Sequence, residues 1–124
     1  MRVVLVGVCG SGKTSLAQEL VALGYEVREC RQEHSGVPHM WQVISRPDFL
    51  IYLDASEDVV ERRGRHQYVP GLYEEQRRRL RHARAHCDLY VMTDELTVAQ
   101  VLARVRDHLP PSTRAQEDLT DVQG

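Results

Sequence analysis

At 124 residues, 42% hydrophobic and 27% charged, the chain is long enough for one domain with a real core, though small for an enzyme. A formal net charge of −2 gives no general attraction to polyanions, so nucleic acid is not an expected partner, even though Arg77, Arg78, Arg79, Arg81 and Arg84 crowd one segment. Cys9, Cys30 and Cys87 are widely spaced with no C-x-x-C pair, which argues against disulfides and structural zinc. The apolar run near Met1 is too short for a signal peptide and no stretch approaches the roughly 20 apolar residues of a membrane helix, so the expectation is a cytoplasmic chain with no membrane partner.

Arg2–Gly7, RVVLVG, is a continuous apolar run rich in β-branched residues and bounded by glycine. It predicts a strand buried on both faces, as in a parallel sheet. Lys13–Leu23 carries apolar residues at Leu16, Ala17, Leu20 and Leu23, and Gly24 follows, the spacing and stop of a helix. Tyr25–Cys30 alternates and predicts a more exposed strand, and a short helix over His39–Ser45 stops before Pro47. Asp48–Asp54, DFLIYLD, is apolar throughout its interior and predicts a central strand. A helix follows from Ser56, a suitable N-cap with acids in the next turn.

Residues 63–71 predict a loop, Leu72–His86 one long arginine-rich helix, and Asp88–Thr93 a fourth strand. The last helix is expected to start at Thr97, where T-V-A-Q fits a capping box, and to end at Pro110. Strands thus alternate with helices without internal repeat. That order predicts an α/β fold, a minimal three-layer sandwich of four parallel strands with the first and third in the centre and helices on both faces. Residues 1–109 would form the domain and 110–124 a flexible polar tail. Such a small sheet suits a monomer or a homodimer that covers an edge strand.

The segment Gly7-Val8-Cys9-Gly10-Ser11-Gly12-Lys13-Thr14 matches G-x-x-x-x-G-K-[ST] at every fixed position, between a predicted strand and a predicted helix. This is the P-loop (Walker A) pattern. Glycines let the backbone curl so that successive N–H groups point at phosphate oxygens, and the helix beginning near Lys13 and Ser15 adds its positive end. Lys13 would reach the β- and γ-phosphates of a nucleoside triphosphate, and Thr14 would place its hydroxyl on Mg²⁺. Lys13 is the only lysine in a chain with sixteen basic side chains. It occupies the one position where a compact point charge does what arginine's planar fork does not.

The chain contains no asparagine, so the N-K-x-D guanine-reading motif of GTPases is missing. Beyond the loop, Arg46–Arg65 (RPDFLIYLDASEDVVERRGR) and Arg79–Leu102 (RLRHARAHCDLYVMTDELTVAQVL) resemble segments of the P-loop nucleoside and nucleotide kinases, a group that includes shikimate kinase. Arg46–Arg65 is similar to their apolar strand, Leu-Asp, acidic turn and arginines leading to a lid. Arg79–Leu102 is similar to their closing strand and capped helix. The resemblance implies ATP and Mg²⁺ on the loop and phosphoryl transfer to a small-molecule acceptor. It implies Arg63 as the arginine at the base of the lid, against adenine or phosphate. It also implies a lid arginine among Arg77, Arg78 and Arg79, unless these form a solvated helix face paired with Glu74 and Glu75.

The chain departs from that family between its second strand and Asp48. Residues 31–45 are too short for the usual extra strand that ends in an acid near Mg²⁺. The acid would then come from Glu29 or Glu33 at the end of the second strand, with His34 beside it, or from Asp54. Asp54 equally suits a role in capping the next helix or bonding the loop, and residues 33–34 suit a surface turn. Val91–Glu95 ends in Asp-Glu and reads as a helix-entry turn at the sheet edge. His39, Met40 and Trp41 are candidates for an acceptor pocket, with packing of Trp41 on the sheet as the competing role. His66, His82, His86 and His108 show no metal-binding spacing. The leading expectation is a small kinase-like phosphotransferase. A nucleotide-binding protein with little catalysis, or a simple NTP hydrolase using Glu33 or Glu95, are the alternatives.

Overall fold

The computed structural model describes residues 2–8, 10–63 and 71–109. Cys9, the predicted 63–71 loop except its two end residues, with His66, and the predicted tail from 110 lie outside the described residues, and Arg63 ends a helix rather than opening the loop. The described chain is an α/β fold built on a sheet of four parallel strands, β1 (Arg2–Gly7), β2 (Glu26–Glu29), β3 (Phe49–Asp54) and β4 (Leu89–Met92), in the order β2-β1-β3-β4. The two continuous apolar runs, β1 and β3, take the centre, as their sequences predict. Central parallel strands are buried on both faces and have no polar side to offer water.

Alternation along β1 divides its side chains between two cores. Val3 and Leu5 pack with Ile51, Leu53 and Val91 against Leu16 and Leu20 of α1 (Lys13–Ala22) and Val101 and Val105 of α5 (Val98–His108). Val4, Val6 and Val8 pack with Leu50 and Tyr52 on the other face, against Trp41, Leu80 and Ala83. Each fully buried Leu, Ile or Val side chain contributes about 1.5 to 3 kcal/mol by leaving water. Gly7, the last residue of β1, is required by close approach, because a Cβ there would lie 2.2 Å from the carbonyl oxygen of Leu53. Any side chain at that point would push β1 off β3. Thr97 caps α5 as predicted, its Oγ1 accepting from the Gln100 N–H (3.2 Å) while Gln100 Oε1 accepts from the Thr97 N–H (2.8 Å).

Two local expectations are corrected. The helix predicted over Leu72–His86 is two helices, α3 (Leu72–Arg79) and α4 (Arg81–His86), broken at Leu80. Beside the break, Gln32, distant in sequence and fully buried, donates its amide to the Arg79 carbonyl (3.3 Å). The same side chain donates to the Val37 carbonyl (2.6 Å) and accepts from the Trp41 N–H (2.9 Å). Gln32 sits in a 3₁₀ turn, Gln32–His34, that the sequence pattern does not announce. The short helix predicted over His39–Ser45 is a π-helical turn over Trp41–Ser45. α2 (Glu57–Arg63) follows β3, and the Ser56 hydroxyl accepts from the Val59 N–H at 3.4 Å.

Trp41 is 5% exposed and belongs to the core on the α4 face of the sheet, the packing role rather than a pocket wall. Its indole N–H donates to His82 Nδ1 (3.1 Å), and His82 stacks on His86 with centroids 4.2 Å apart, while His39 meets its edge. Removal from water, then the neighbouring His86 and His39, hold His82 below the usual histidine pKa. The folded protein therefore favours neutral His82. Its contribution to stability is complete above the unfolded value near 6.5 and is lost as pH falls through the lower folded value. Acidification from pH 7 to 5 is expected to lower the melting temperature and to change the emission of Trp41, the only tryptophan. His82→Gln, whose amide oxygen still accepts the indole N–H, should lose most of that change. An identical pH response in the variant would exclude His82 as its source.

Candidate functional site

The turn between β1 and α1 forms the floor of a cavity of about 960 Å³ lined by Gly10, Ser11 and Gly12 and by the first residues of α1. Gly10 (φ 82°) and Gly12 (φ 100°) both adopt left-handed backbone, which glycine alone enters freely. Gly12 is the N-cap of α1 and supplies no capping side chain. The first amides of the helix have no partner within it, and they open on the cavity with the positive end of the helix dipole. Ser11 N–H closes the turn onto the Val8 carbonyl (3.1 Å).

Lys13 donates its ammonium to the Gly7 carbonyl, to the Val8 carbonyl (3.4 Å) and to the carboxylate of Glu33 through Oε2. Glu33 is 2% exposed, and its second oxygen, Oε1, has no hydrogen-bond partner among the described residues. Ser11 Oγ, on the same cavity, is likewise buried without a partner among them. Buried polar atoms in native proteins are nearly always satisfied, and both of these belong to residues that line the cavity. Thr14 donates its hydroxyl to Glu29 Oε1 (2.7 Å). Both acids reach the loop for a topological reason. β2 pairs directly with β1, and the segment leaving β2 therefore passes beside the glycine turn.

Arg63, at the end of α2, closes the other side. Its Nη1 donates to the Gly10 carbonyl (2.6 Å) and to Thr93 Oγ1 (3.3 Å), and its Nη2 to the Thr93 carbonyl (3.1 Å). The far wall is apolar, from Leu96, Val98 and Val101 at the start of α5. The structure thus brings Glu33 and Arg63 to the loop. It does not bring Asp54 there. Asp54 is fully buried and lines no part of the cavity. Its Oδ1 accepts from the Ala55 N–H (2.9 Å) and Arg77 Nη1 (3.2 Å), and its Oδ2 from Arg77 (3.3 Å) and the Tyr90 hydroxyl (2.5 Å). Burial, then the bond to Asp54, pushes the Tyr90 phenol up to about 12.

Nor do the arginines of α3 line the cavity. Arg77 serves Asp54, and Arg78 and Arg79 pair with Glu75, whose carboxyl the Arg78 hydrogen bond holds below its ordinary range; Arg79 also donates to the Glu33 carbonyl (3.3 Å) from outside the cavity. Asp94 accepts from the Ser56 N–H (2.8 Å), so Val91–Glu95 ends in the helix-entry turn expected of it, with Glu95 exposed. Cys30 lines the cavity but burial holds its thiol above the usual range, which disfavours a thiolate nucleophile. Among the described residues there is no group of three or more His, Cys, Asp or Glu that could hold a metal ion, and no helix is long and apolar enough to cross a membrane. Sequence reasoning gave Thr93 and the apolar wall no role, since only the sheet order places the end of β4 near the loop. No family model matches the chain, and a search of curated proteins returns no match.

Proposed function

We propose that the chain is a P-loop protein that binds MgATP on the Gly7–Ser15 segment and, in the manner of the nucleoside and nucleotide kinases it resembles, transfers a phosphoryl group to a small acceptor. The observation that carries this reading is the pairing of Lys13 with Glu33, a buried carboxylate with one oxygen unengaged among the described residues. Phosphate oxygens on the loop would draw the ammonium of Lys13 from Glu33, since both compete for the same donors. Glu33 released in this way is a base within reach of an acceptor hydroxyl. Arg63, already at the Gly10 carbonyl, would hold charge at the same end of the cavity.

Mg²⁺ fits the donors at hand. Thr14 and Glu29 offer hard oxygen ligands side by side, and Mg²⁺ commonly takes one or two protein oxygens with the rest from phosphates and water. When bound, it would neutralise charge on the phosphates. The absence of Arg77, Arg78 and Arg79 from the cavity lining favours the second reading, a nucleotide-binding protein with little catalysis, because among the described residues developing charge would then rest on Lys13, Arg63 and Arg31.

Titration calorimetry with MgATP, MgGTP and the diphosphates, followed by acceptor-dependent ADP formation, separates these readings. Glu33→Gln is expected to keep nucleotide binding and to lower turnover by about 10² to 10⁴. Binding without turnover in the wild type would select the second reading. Failure to bind any nucleotide would exclude both.

A further inference from the structure

One buried hydroxyl outside the loop lies where the glycine turn, the end of β3 and the end of α2 meet. Thr93, just beyond β4 and 3% exposed, places Oγ1 2.9 Å from the Asp54 carbonyl oxygen and 3.2 Å from the Ser11 carbonyl oxygen. The same atom lies 3.3 Å from Arg63 Nη1, which donates to it. The Thr93 carbonyl accepts from Arg63 Nη2 (3.1 Å) and from the Leu96 N–H (3.1 Å). The one hydroxyl proton of Thr93 is shared between the Asp54 and Ser11 carbonyls, so hydroxyl and guanidinium together reach two successive carbonyls of the turn, Gly10 through Arg63 and Ser11 through Thr93.

Holding a carbonyl also aims an amide. The peptide unit is planar and trans, so fixing the Ser11 C=O toward Thr93 turns the Gly12 N–H the opposite way. Successive N–H groups directed to one side of such a glycine turn form the concavity that takes an anion. The Leu96 bond ties the apolar wall to the same point. We infer that Thr93 is a positioning residue that, with Arg63, holds the glycine turn so that the Gly12 amide is oriented for an anion, and couples the phosphate end of the cavity to its apolar wall. The inference rests on the phosphate-binding reading above.

The test measures binding of inorganic tripolyphosphate and of MgATP by titration calorimetry, beside the thermal stability of each protein. Thr93→Val keeps shape and removes the hydroxyl, and Thr93→Ser keeps the hydroxyl. Thr93→Val is expected to weaken both ligands about tenfold, the size of one lost hydrogen bond at the site, and Thr93→Ser to restore the affinity. Thr93→Cys, with a weaker donor of similar size, should fall between and serves if the valine variant does not fold. A lowered melting temperature with affinities within twofold of wild type would overturn the inference and leave the phosphate site standing. Wild-type protein that binds neither ligand would overturn both.

Discussion

Lys13→Met is expected to lower the free energy of unfolding by about 3 to 5 kcal/mol, although the residue belongs to a ligand-binding loop. The reason is Glu33. With Lys13 gone, a carboxylate almost wholly removed from water loses the cation it pairs with and keeps an oxygen that already lacks a partner among the described residues. Removing one member of a buried ion pair is costly because the survivor is stranded, whereas removing both leaves no uncompensated charge. Lys13→Met with Glu33→Gln should therefore recover most of the loss, and urea denaturation of the two single variants and the double variant measures the coupling. Equal losses in the double variant and in the sum of the singles would exclude the pair as the cause.

The same cycle separates binding from folding. A protein weakened by several kcal/mol binds poorly in part because less of it is folded, so nucleotide affinity is better compared between Glu33→Gln and the double variant, where Lys13 is the only difference at the site. Under the P-loop reading that comparison should show a loss of about tenfold or more for triphosphates, the size of one charge-assisted contact. Unchanged affinity would remove Lys13 from the site.

The parts of the fold that were legible in the sequence are those fixed by contacts along one element. RVVLVG and FLIYLD are apolar at every interior position, and two-faced burial is the only environment that suits such runs, so β1 and β3 take the centre of the sheet. The T-V-A-Q cap needs nothing beyond four consecutive residues. Where an element answers to a distant partner, local pattern fails. The periodicity of Leu72–His86 carries no sign of the break at Leu80 or of the Gln32 amide that reaches the Arg79 carbonyl beside it. The candidate site divides in the same way. The glycine turn and Lys13 are contiguous and could be read directly. Glu33 could be placed near them only as one of three acids, because the choice depends on β2 pairing with β1 rather than with an intervening strand. Thr93 falls in the closing segment that resembles the kinases, but nothing local gives it a role.

Arg77→Met carries the second large expected effect, again about 3 to 5 kcal/mol of stability, and it decides what Asp54 does. Asp54 is fully buried at the end of β3, and Arg77 is the one cation bonded to it among the described residues. Without Arg77 the carboxylate retains the Tyr90 hydroxyl and the Ala55 N–H, two donors without charge. Asp54 would then stabilise the fold through its pair, with no path to a ligand in the cavity. Asp54→Asn combined with Arg77→Met should be much more stable than Arg77→Met alone, since the stranded charge is gone. Nucleotide binding in that double variant should stay near wild type. A catalytic Asp54 predicts the opposite pattern, with turnover lost in Asp54→Asn at nearly unchanged stability. Denaturation curves and ADP formation measured on wild type, the two single variants and the double variant distinguish the two, because a structural carboxylate moves the first readout and a reacting one moves the second.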